Sequence, residues 1–413
     1  MLLSPQGEIL DRTSKSATAR PLRVVLAVNS FLPHVGGREM VVHYLAKSLV
    51  DMGHQVRVFL KGGAWRYRNC RYPYAVHRWP GLGGYLRDWA GQAALRWESS
   101  AWKTDLIHAH VTYPTGYWAV QIKNRRGIPV VITPHGDDIH TIPEIGHGKR
   151  LDPGCAVKIT QAVSQADRVT AISESIAHSL LEAGAAPDHI RRIPNGIDLE
   201  RFQGKAEIDV RERYGLPADA KLVLSVGSYI PRRGFEYLVR AMALVRESFP
   251  EAILIIAGRN TEILEPLVAE LGLKQNVCFP GQIAPPTNGG GGVDLLAEIY
   301  KSSDAYVSSG MSEGSEGLSL ALLDAMASGL PAVATAISGN RDVVRNGKSG
   351  WLVPARDVEA MADGIKSLLG DPEMASRFGA EALSISQEYS WENAARKYVA
   401  LYSELIASKS SCE

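Results

Sequence analysis

The sequence predicts an α/β protein of two doubly wound domains facing across a cleft. Three observations predict it. Short β-branched runs alternate with amphipathic stretches along the chain, the pattern of parallel strands covered by helices on both faces. The length, 413 residues, exceeds one ordinary domain. A stretch rich in Gly, Pro and charge, residues 195–219, separates two series of strands.

The first series begins with residues 22–29 (LRVVLAVN), an apolar run that reads as a buried strand. Residues 38–52 carry Met40, Val41, Tyr44, Leu45 and Leu49 at helical spacing, and Gly53 reads as the C-cap. Strands follow at 55–60, 105–110, 129–133 and 167–171, and Ser173 caps a helix that runs to Gly184. The second series has strands at 222–226, 252–257 (AILIIA), 276–279, 305–308 and 332–335, with helices at 235–247, 261–271 and 318–328. The one low-complexity patch, residues 288–292 (NGGGG), reads as a surface loop.

Composition narrows the class. The chain is 45% hydrophobic and 22% charged, which excludes disordered, collagen-like and coiled-coil chains. No apolar run approaches the roughly 18 residues of a membrane span. The first twenty residues lack a signal-peptide core and read as a polar leader. Four dispersed cysteines, Cys70, Cys155, Cys278 and Cys412, form no zinc or disulfide pattern and suit a reducing cytosol. Net charge is +1, but residues 1–200 hold 24 Lys+Arg against 17 Asp+Glu, and residues 201–413 hold 21 against 27. That asymmetry bears on partners rather than on fold.

Several strand-to-helix junctions carry candidate chemistry, because open parallel sheets bind ligands beyond the carboxyl ends of their strands. Gly36 and Gly37 precede a helix and would let backbone approach an anion; the plain alternative is a tight turn. The G-x-G-x-x-G dinucleotide fingerprint is absent. His135, with Gly136, Asp137 and Asp138, follows a strand and would enter the cleft. Asn195-Gly196-Ile197-Asp198 reads as a sharp turn and inter-domain hinge. Arg232 and Arg233 stand at a helix start, where the dipole disfavours cations, so a diphosphate would explain them as well as a solvated loop would. The most informative segment is 315–331. Glu316 stands at a helix entry and Asp324 lies eight residues on, an advance of about 12 Å along a helix. That is near the span from sugar to ribose in a folded nucleotide-sugar, with backbone N–H groups near residues 318–320 beneath the diphosphate. The alternative there is a capped amphipathic helix.

In this order, the segments resemble the GT-B glycosyltransferases, specifically the retaining family 4 (glycosyl transferases group 1). The residues are Gly36-Gly37-Arg38-Glu39, His135-Gly136, Asn195-Gly196-Ile197-Asp198, the 227–234 loop, and the 316–331 segment. Ser338-Gly339-Asn340-Arg341-Asp342, Gly350-Trp351-Leu352-Val353 and Tyr389-Ser390-Trp391-Glu392 continue the pattern over residues 22–406. The departures are Ser228 and Arg233 in place of the family's Arg and Lys, and Asp324 and Asp342 in place of two Glu. Arg232 or Arg259 would restore the missing cation.

The resemblance implies a leader at 1–21, an acceptor-side Rossmann-like domain at 22–200, a nucleotide-sugar domain at 201–388, and a helix at 389–413 crossing back to the first domain. It implies transfer of a sugar from a UDP- or GDP-linked donor to a hydroxyl with retention, without cofactor or metal. His135 and Glu316 would be catalytic, His135 facing the donor sugar and Glu316 binding its hydroxyls. Donor binding would fall to Gly36, Gly37, Ser228, Arg232, Arg233, Ile283, Glu316, Gly317, Leu318, Ser319, Leu320 and Asp324. Asp138 would stand on the acceptor side. The alternatives are a GT-B epimerase or glycogen-type synthase, against which Gly36–Glu39 and Asn195–Asp198 weigh, and a non-catalytic GT-B scaffold.

The expected partners are a nucleotide-sugar and a sugar or lipid-linked acceptor, with no nucleic acid, in a cytoplasmic protein of polysaccharide or glycolipid synthesis. An anionic membrane is a further expected partner. Trp65, Trp79, Trp89, Trp97 and Trp102 interleave with Arg66, Arg68, Arg71, Arg78, Arg87, Arg96 and Lys103. Residues 83–103 would form an interfacial amphipathic helix, or else a core helix with its rings turned inward.

Overall fold

The computed structural model describes residues 20–61, 72–79, 86–283, 293–315, 317–337 and 339–410. Several expectations fall outside the described residues: most of the leader, Trp65, Arg66, Arg68, Arg71, the 288–292 patch, Ser338 and Glu316.

Thirteen strands form two sheets among the described residues. The first holds β1 (Arg23–Val28), β2 (Gln55–Lys61), β3 (Ala75–Trp79), β4 (Leu106–Ala109), β5 (Val130–Ile132), β6 (Arg168–Ala171) and β7 (Ile190–Arg192). Their order is β3-β2-β1-β4-β5-β6-β7. The second holds β8 (Lys221–Val226), β9 (Ala252–Ala257), β10 (Val277–Gly281), β11 (Ala305–Ser308), β12 (Ala332–Thr335) and β13 (Gly350–Val353), in the order β10-β9-β8-β11-β12-β13. All the strand pairings are parallel. This is the α/β, two-domain GT-B architecture. The central strands β1, β4, β9, β11 and β12 are buried on both faces, which is why they read as unbroken apolar runs. In each sheet the order reverses beside the first strand, between β1 and β4 and between β8 and β11. Ligands of such sheets sit at those points.

The closing helix, Trp391–Ser410, packs on the N-terminal sheet rather than on its own. Trp391, Ala395, Tyr398, Tyr402 and Leu405 share one core with Leu45 and Leu49 of α1 (Gly37–Asp51) and with Val24 and Leu26 of β1. The chain therefore crosses between the sheets twice, and the crossings run together. Ile197 N donates to the Tyr389 carbonyl at 2.6 Å, and Trp391 N donates back to Ile197 O at 3.3 Å. Gly196 is a close approach rather than a sharp turn: a Cβ there would lie 2.5 Å from the Trp391 ring.

Two helices differ from the reading. Residues 261–271 split into a 3-10 turn, Thr261–Leu264, and a short helix, Glu265–Glu270, with Pro266 in its first turn. The helix expected from 318 begins at Leu320, because the Ser319 hydroxyl caps it, accepting from Leu322 N at 3.4 Å. The tryptophan-bearing helix α2 spans Leu86–Ala101. Its inner face buries Leu95 and Glu98, the latter bonded to Arg57 at 2.8 Å and His77 at 3.0 Å. Trp89 and Trp97 lie on the outside, 68% and 60% exposed, so the inward-packed alternative does not hold for them.

Candidate active site

A cavity of about 440 Å³ lies where the carboxyl ends of the two sheets face each other. Gly36, Gly37, His135, Ser228, Arg232, Arg233, Ile283, Gly317, Leu318, Ser319, Leu320 and Asp324 all line it. Asp138 does not.

On the N-terminal wall, α1 begins at Gly37, and the Glu39 carboxylate folds back over its first turn. A Cβ on Gly36 would lie 2.5 Å from Glu39 Oε2. Glu39 is buried and is bonded by Ser30 Oγ, which also accepts from Arg38 at 2.9 Å. The helix end expected to meet a ligand anion thus already faces an acidic side chain of its own helix.

His135 follows β5, with Gly136 at a φ of +127° that favours glycine. Its Nε2 lies 3.2 Å from His110 Nδ1. His110 is fully buried and its Nε2 has no hydrogen-bond partner among the described residues. An orphaned buried N–H is costlier than an orphaned acceptor, so the His110 proton belongs on Nδ1, donated to His135. His135 then carries its proton on Nδ1. Burial, with the charge of Arg38, depresses the His135 pKa to about 3. The imidazole is neutral at physiological pH.

Asp138 corrects the sequence reading. It is 1% exposed, and its carboxylate accepts from Thr112 N at 2.6 Å and His135 N at 3.1 Å. Those bonds tie the loops after β4 and β5 together and turn the side chain away from the cleft. Its neighbour Asp137 reaches the cleft and bonds Arg232 at 2.8 Å. Burial pushes Asp137 up, but Arg232, His147 and Arg38 outweigh it and hold the carboxyl below its ordinary value.

The C-terminal wall is built from glycine contacts. A Cβ on Gly258 would lie 1.9 Å from the Gly227 carbonyl oxygen, and one on Gly227 would lie 2.5 Å from the Arg233 guanidinium. The loop after β8 is thereby pressed onto the loop after β9. Tyr229 N donates to Arg259 O at 2.8 Å, and Arg259 Nε donates to Ser228 Oγ at 3.3 Å. Arg259 therefore stands beside the serine that replaces a family arginine. Arg232 is engaged across the cleft by Asp137, and within its own domain by the Ser315 carbonyl at 3.0 Å. Leu320 and Ala321 line the cleft in the first turn of the Leu320–Ala327 helix, where backbone N–H groups have no intrahelical partner.

Asp324 sits on the same helix. Burial lifts its pKa to about 7; Arg201 opposes the shift, and Asp294 and Asp198 add to it. Sequence reasoning missed Arg201, Tyr44 and Trp391, which also line the cleft. Arg201 bonds Asp294 at 2.7 Å, and Tyr44 stacks on Trp391 with ring centroids 5.6 Å apart. The available signal for Arg201 was its place three residues after Asp198, one helical turn along. Among the described residues no group of three or more His, Cys, Asp or Glu is arranged to hold a metal. No described helix is long and apolar enough to cross a membrane.

Two sheets, a shared cleft and a helix start beneath it define the class: a two-domain GT-B glycosyltransferase. Residues 35–201 match the family described as Glycosyltransferase Family 4, and residues 207–384 match Glycosyl transferases group 1. The chain belongs to the family 4 glycosyltransferases. It is 28% identical to the D-inositol 3-phosphate glycosyltransferase of Thermobispora bispora, over 90% of each chain. It is 26% identical to the N-acetyl-alpha-D-glucosaminyl L-malate synthase of Bacillus anthracis, over 91% of this chain and 95% of that one. Among solved structures, Anabaena HepE in complex with UDP and glucose superposes with a TM-score of 0.77 at 20% identity, covering 93% of this chain and all of that one.

Proposed function

We propose that the protein is a retaining, metal-independent glycosyltransferase that moves a sugar from a UDP- or GDP-linked donor to a hydroxyl acceptor. The observation that carries this reading is the convergence of Arg233, Arg259, the Leu320 helix start and Asp324 on one wall of the cleft. Arg233 binds the diphosphate, with Arg259 supplying the charge that Ser228 lacks. The first-turn N–H groups stabilise the negative charge that grows on the leaving diphosphate. Asp324 accepts from the ribose hydroxyls, and the backbone near Ile283 holds the base. His135 donates from Nδ1 to the sugar, and Glu316 binds the sugar hydroxyls. In the reaction the anomeric C–O bond to the diphosphate breaks, the acceptor oxygen bonds the same carbon on the same face, and the acceptor proton leaves with the diphosphate. UDP and glucose in the HepE complex support the nucleotide-sugar part of the reading.

The protein works on the cytoplasmic side of a membrane, with the exposed Trp89 and Trp97 of α2 resting in the headgroups and Arg96 near anionic lipid. Its acceptor belongs to a polysaccharide or glycolipid pathway.

The test is turnover of UDP- and GDP-sugars by the purified chain and by Arg233→Ala and Glu316→Ala. We expect donor turnover by the wild type, weaker binding of UDP or GDP in Arg233→Ala, and loss of turnover in Glu316→Ala. Binding without turnover of any donor would leave only the scaffold reading.

A further inference from the structure

Arg201 stands where the two domains join. It lies in the short helix Leu199–Phe202, directly after the first crossing of the chain between the sheets. That helix packs against Leu295–Ser302 and against the helix of Asp324, Leu320–Ala327. The guanidinium is held from three sides. Its Nε donates to Asp294 at 2.7 Å, its Nη1 donates to the Tyr44 hydroxyl of α1 at 3.5 Å, and it lies over the Phe202 ring, 4.8 Å from the centroid. Asp294 and Tyr44 are themselves fixed. Asp294 caps Leu295–Ser302, accepting from Ala297 N at 3.2 Å, and Tyr44 stacks on Trp391, where the second crossing ends.

The remaining arm, Nη2, is buried and has no hydrogen-bond partner among the described residues. A buried polar group in that state destabilises a fold, and an apolar side chain would avoid it. Packing therefore does not account for an arginine here, and its charge has to.

That charge faces three carboxylates, those of Asp198, Asp294 and Asp324. Asp294 is bonded to it directly, and Asp198 also feels Lys47 of α1. For Asp324, Arg201 is the cation that opposes burial, while Asp294 and Asp198 add to burial. The hydroxyls of Tyr44 and Tyr300 also face Asp324, and burial holds both above their ordinary value, so neither ionises near neutral pH. Behind the helix, β11 and β12 carry no charged residue, and Pro372–Ser386 brings Ala382 and Ile385 to the shared core.

We propose that Arg201 is a positioning residue for donor binding: clamped at the domain junction, it is the counter-ion that keeps the Asp324 carboxylate ionised for the ribose hydroxyls. An ionised carboxylate accepts from both hydroxyls of a ribose; a protonated one gives up part of that capacity to its own proton. That Asp324 meets a ribose rests on the glycosyltransferase reading above.

The experiment has two arms, and the first needs no ligand. Urea unfolding of the full chain is followed from pH 5 to pH 9 for wild type, Arg201→Gln, Arg201→Lys and Asp294→Asn, each with and without Asp324→Asn. The stability gap within each pair isolates the titration of Asp324, because every other group stands on both sides of the subtraction. In the wild-type background the gap levels off near pH 7. Arg201→Gln should move that point up by about one pH unit or more, and Arg201→Lys should restore it in part. Asp294→Asn keeps a good helix cap but removes an anion, and should move the point down. A packing role alone would lower stability at every pH and move neither point. Should Arg201→Gln not fold, Arg201→Lys and Asp294→Asn carry the same test.

The second arm is UDP and GDP binding by calorimetry over the same range, with Asp324→Asn as the baseline for the titration of the diphosphate itself. The Kd of Arg201→Gln should be about fivefold or more above wild type at pH 7 and approach it at pH 9. Levelling points that coincide in all backgrounds, or an affinity loss in Arg201→Gln that is the same at every pH, overturn the proposal. Levelling points that move while neither UDP nor GDP binds the wild type would uphold the counter-ion and count against the donor reading instead.

Discussion

Replacing Asp324 with Asn tests the electrostatics of the cleft directly. Burial raises this carboxyl from 3.8 in the unfolded chain to about 7 in the fold. One pKa unit is about 1.4 kcal/mol, so the ionised form costs the folded state up to about 4 kcal/mol. The sign follows from proton counts. Below pH 3.8 both states hold the proton and there is no penalty. Between 3.8 and 7 the unfolded chain releases it first, so stability falls as pH rises, and above 7 the full penalty stands. Asn carries no charge and removes that slope. Urea unfolding of wild type and Asp324→Asn at pH 5, 6, 7 and 8 should show the variant gaining on the wild type as pH rises, with the gap levelling off above pH 7. If Asp324 binds the ribose, UDP or GDP should bind the wild type more tightly at pH 8 than at pH 6, and the variant should lose that dependence. A stability gap that stays constant from pH 5 to pH 8 would refute the reasoning.

Three other substitutions probe separate parts of the account. Gly227→Ala places a methyl 2.5 Å from the Arg233 guanidinium and should weaken nucleoside diphosphate binding, measured by calorimetry, with little change in far-UV circular dichroism. Asp138→Ala strands two buried backbone N–H groups, at about 1–3 kcal/mol each, and should lower the unfolding midpoint markedly. Trp89→Ser removes a ring that is 68% exposed; co-sedimentation with anionic vesicles should drop while the melting temperature holds.

The fold was legible where strands are buried on both faces. Residues 252–257, 305–308 and 332–335 coincide with β9, β11 and β12, because a strand covered twice must be apolar throughout. The strands missed in the sequence were β3, β7 and β13, all at sheet edges. Ile190-Arg191-Arg192 is three residues long and two of them are charged, and Ala75–Trp79 carries His and Arg on partly covered faces. Junction glycines pointed to the cleft for a physical reason: Gly227 and Gly258 let two loops touch, and that need shows in sequence as glycine after a strand. What sequence could not give was side-chain direction. Asp137 and Asp138 are adjacent, yet one reaches Arg232 and the other is locked beneath His135. The Arg201–Asp294 pair joins residues 93 positions apart, and neither hints at the other. The tryptophans of α2 were ambiguous because helical spacing sets their relative faces but not which face the sheet covers.

The central claim is transfer of a sugar from a nucleotide donor to a hydroxyl with the anomeric configuration kept. The most direct measurement is proton NMR of the reaction of the purified chain with UDP- and GDP-linked α-sugars and D-inositol 3-phosphate or L-malate as acceptor. The account predicts a new anomeric doublet with the small coupling of an α-glycoside, appearing in step with free UDP or GDP and without added metal. A β-configured product, or no glycoside with any donor, would contradict it.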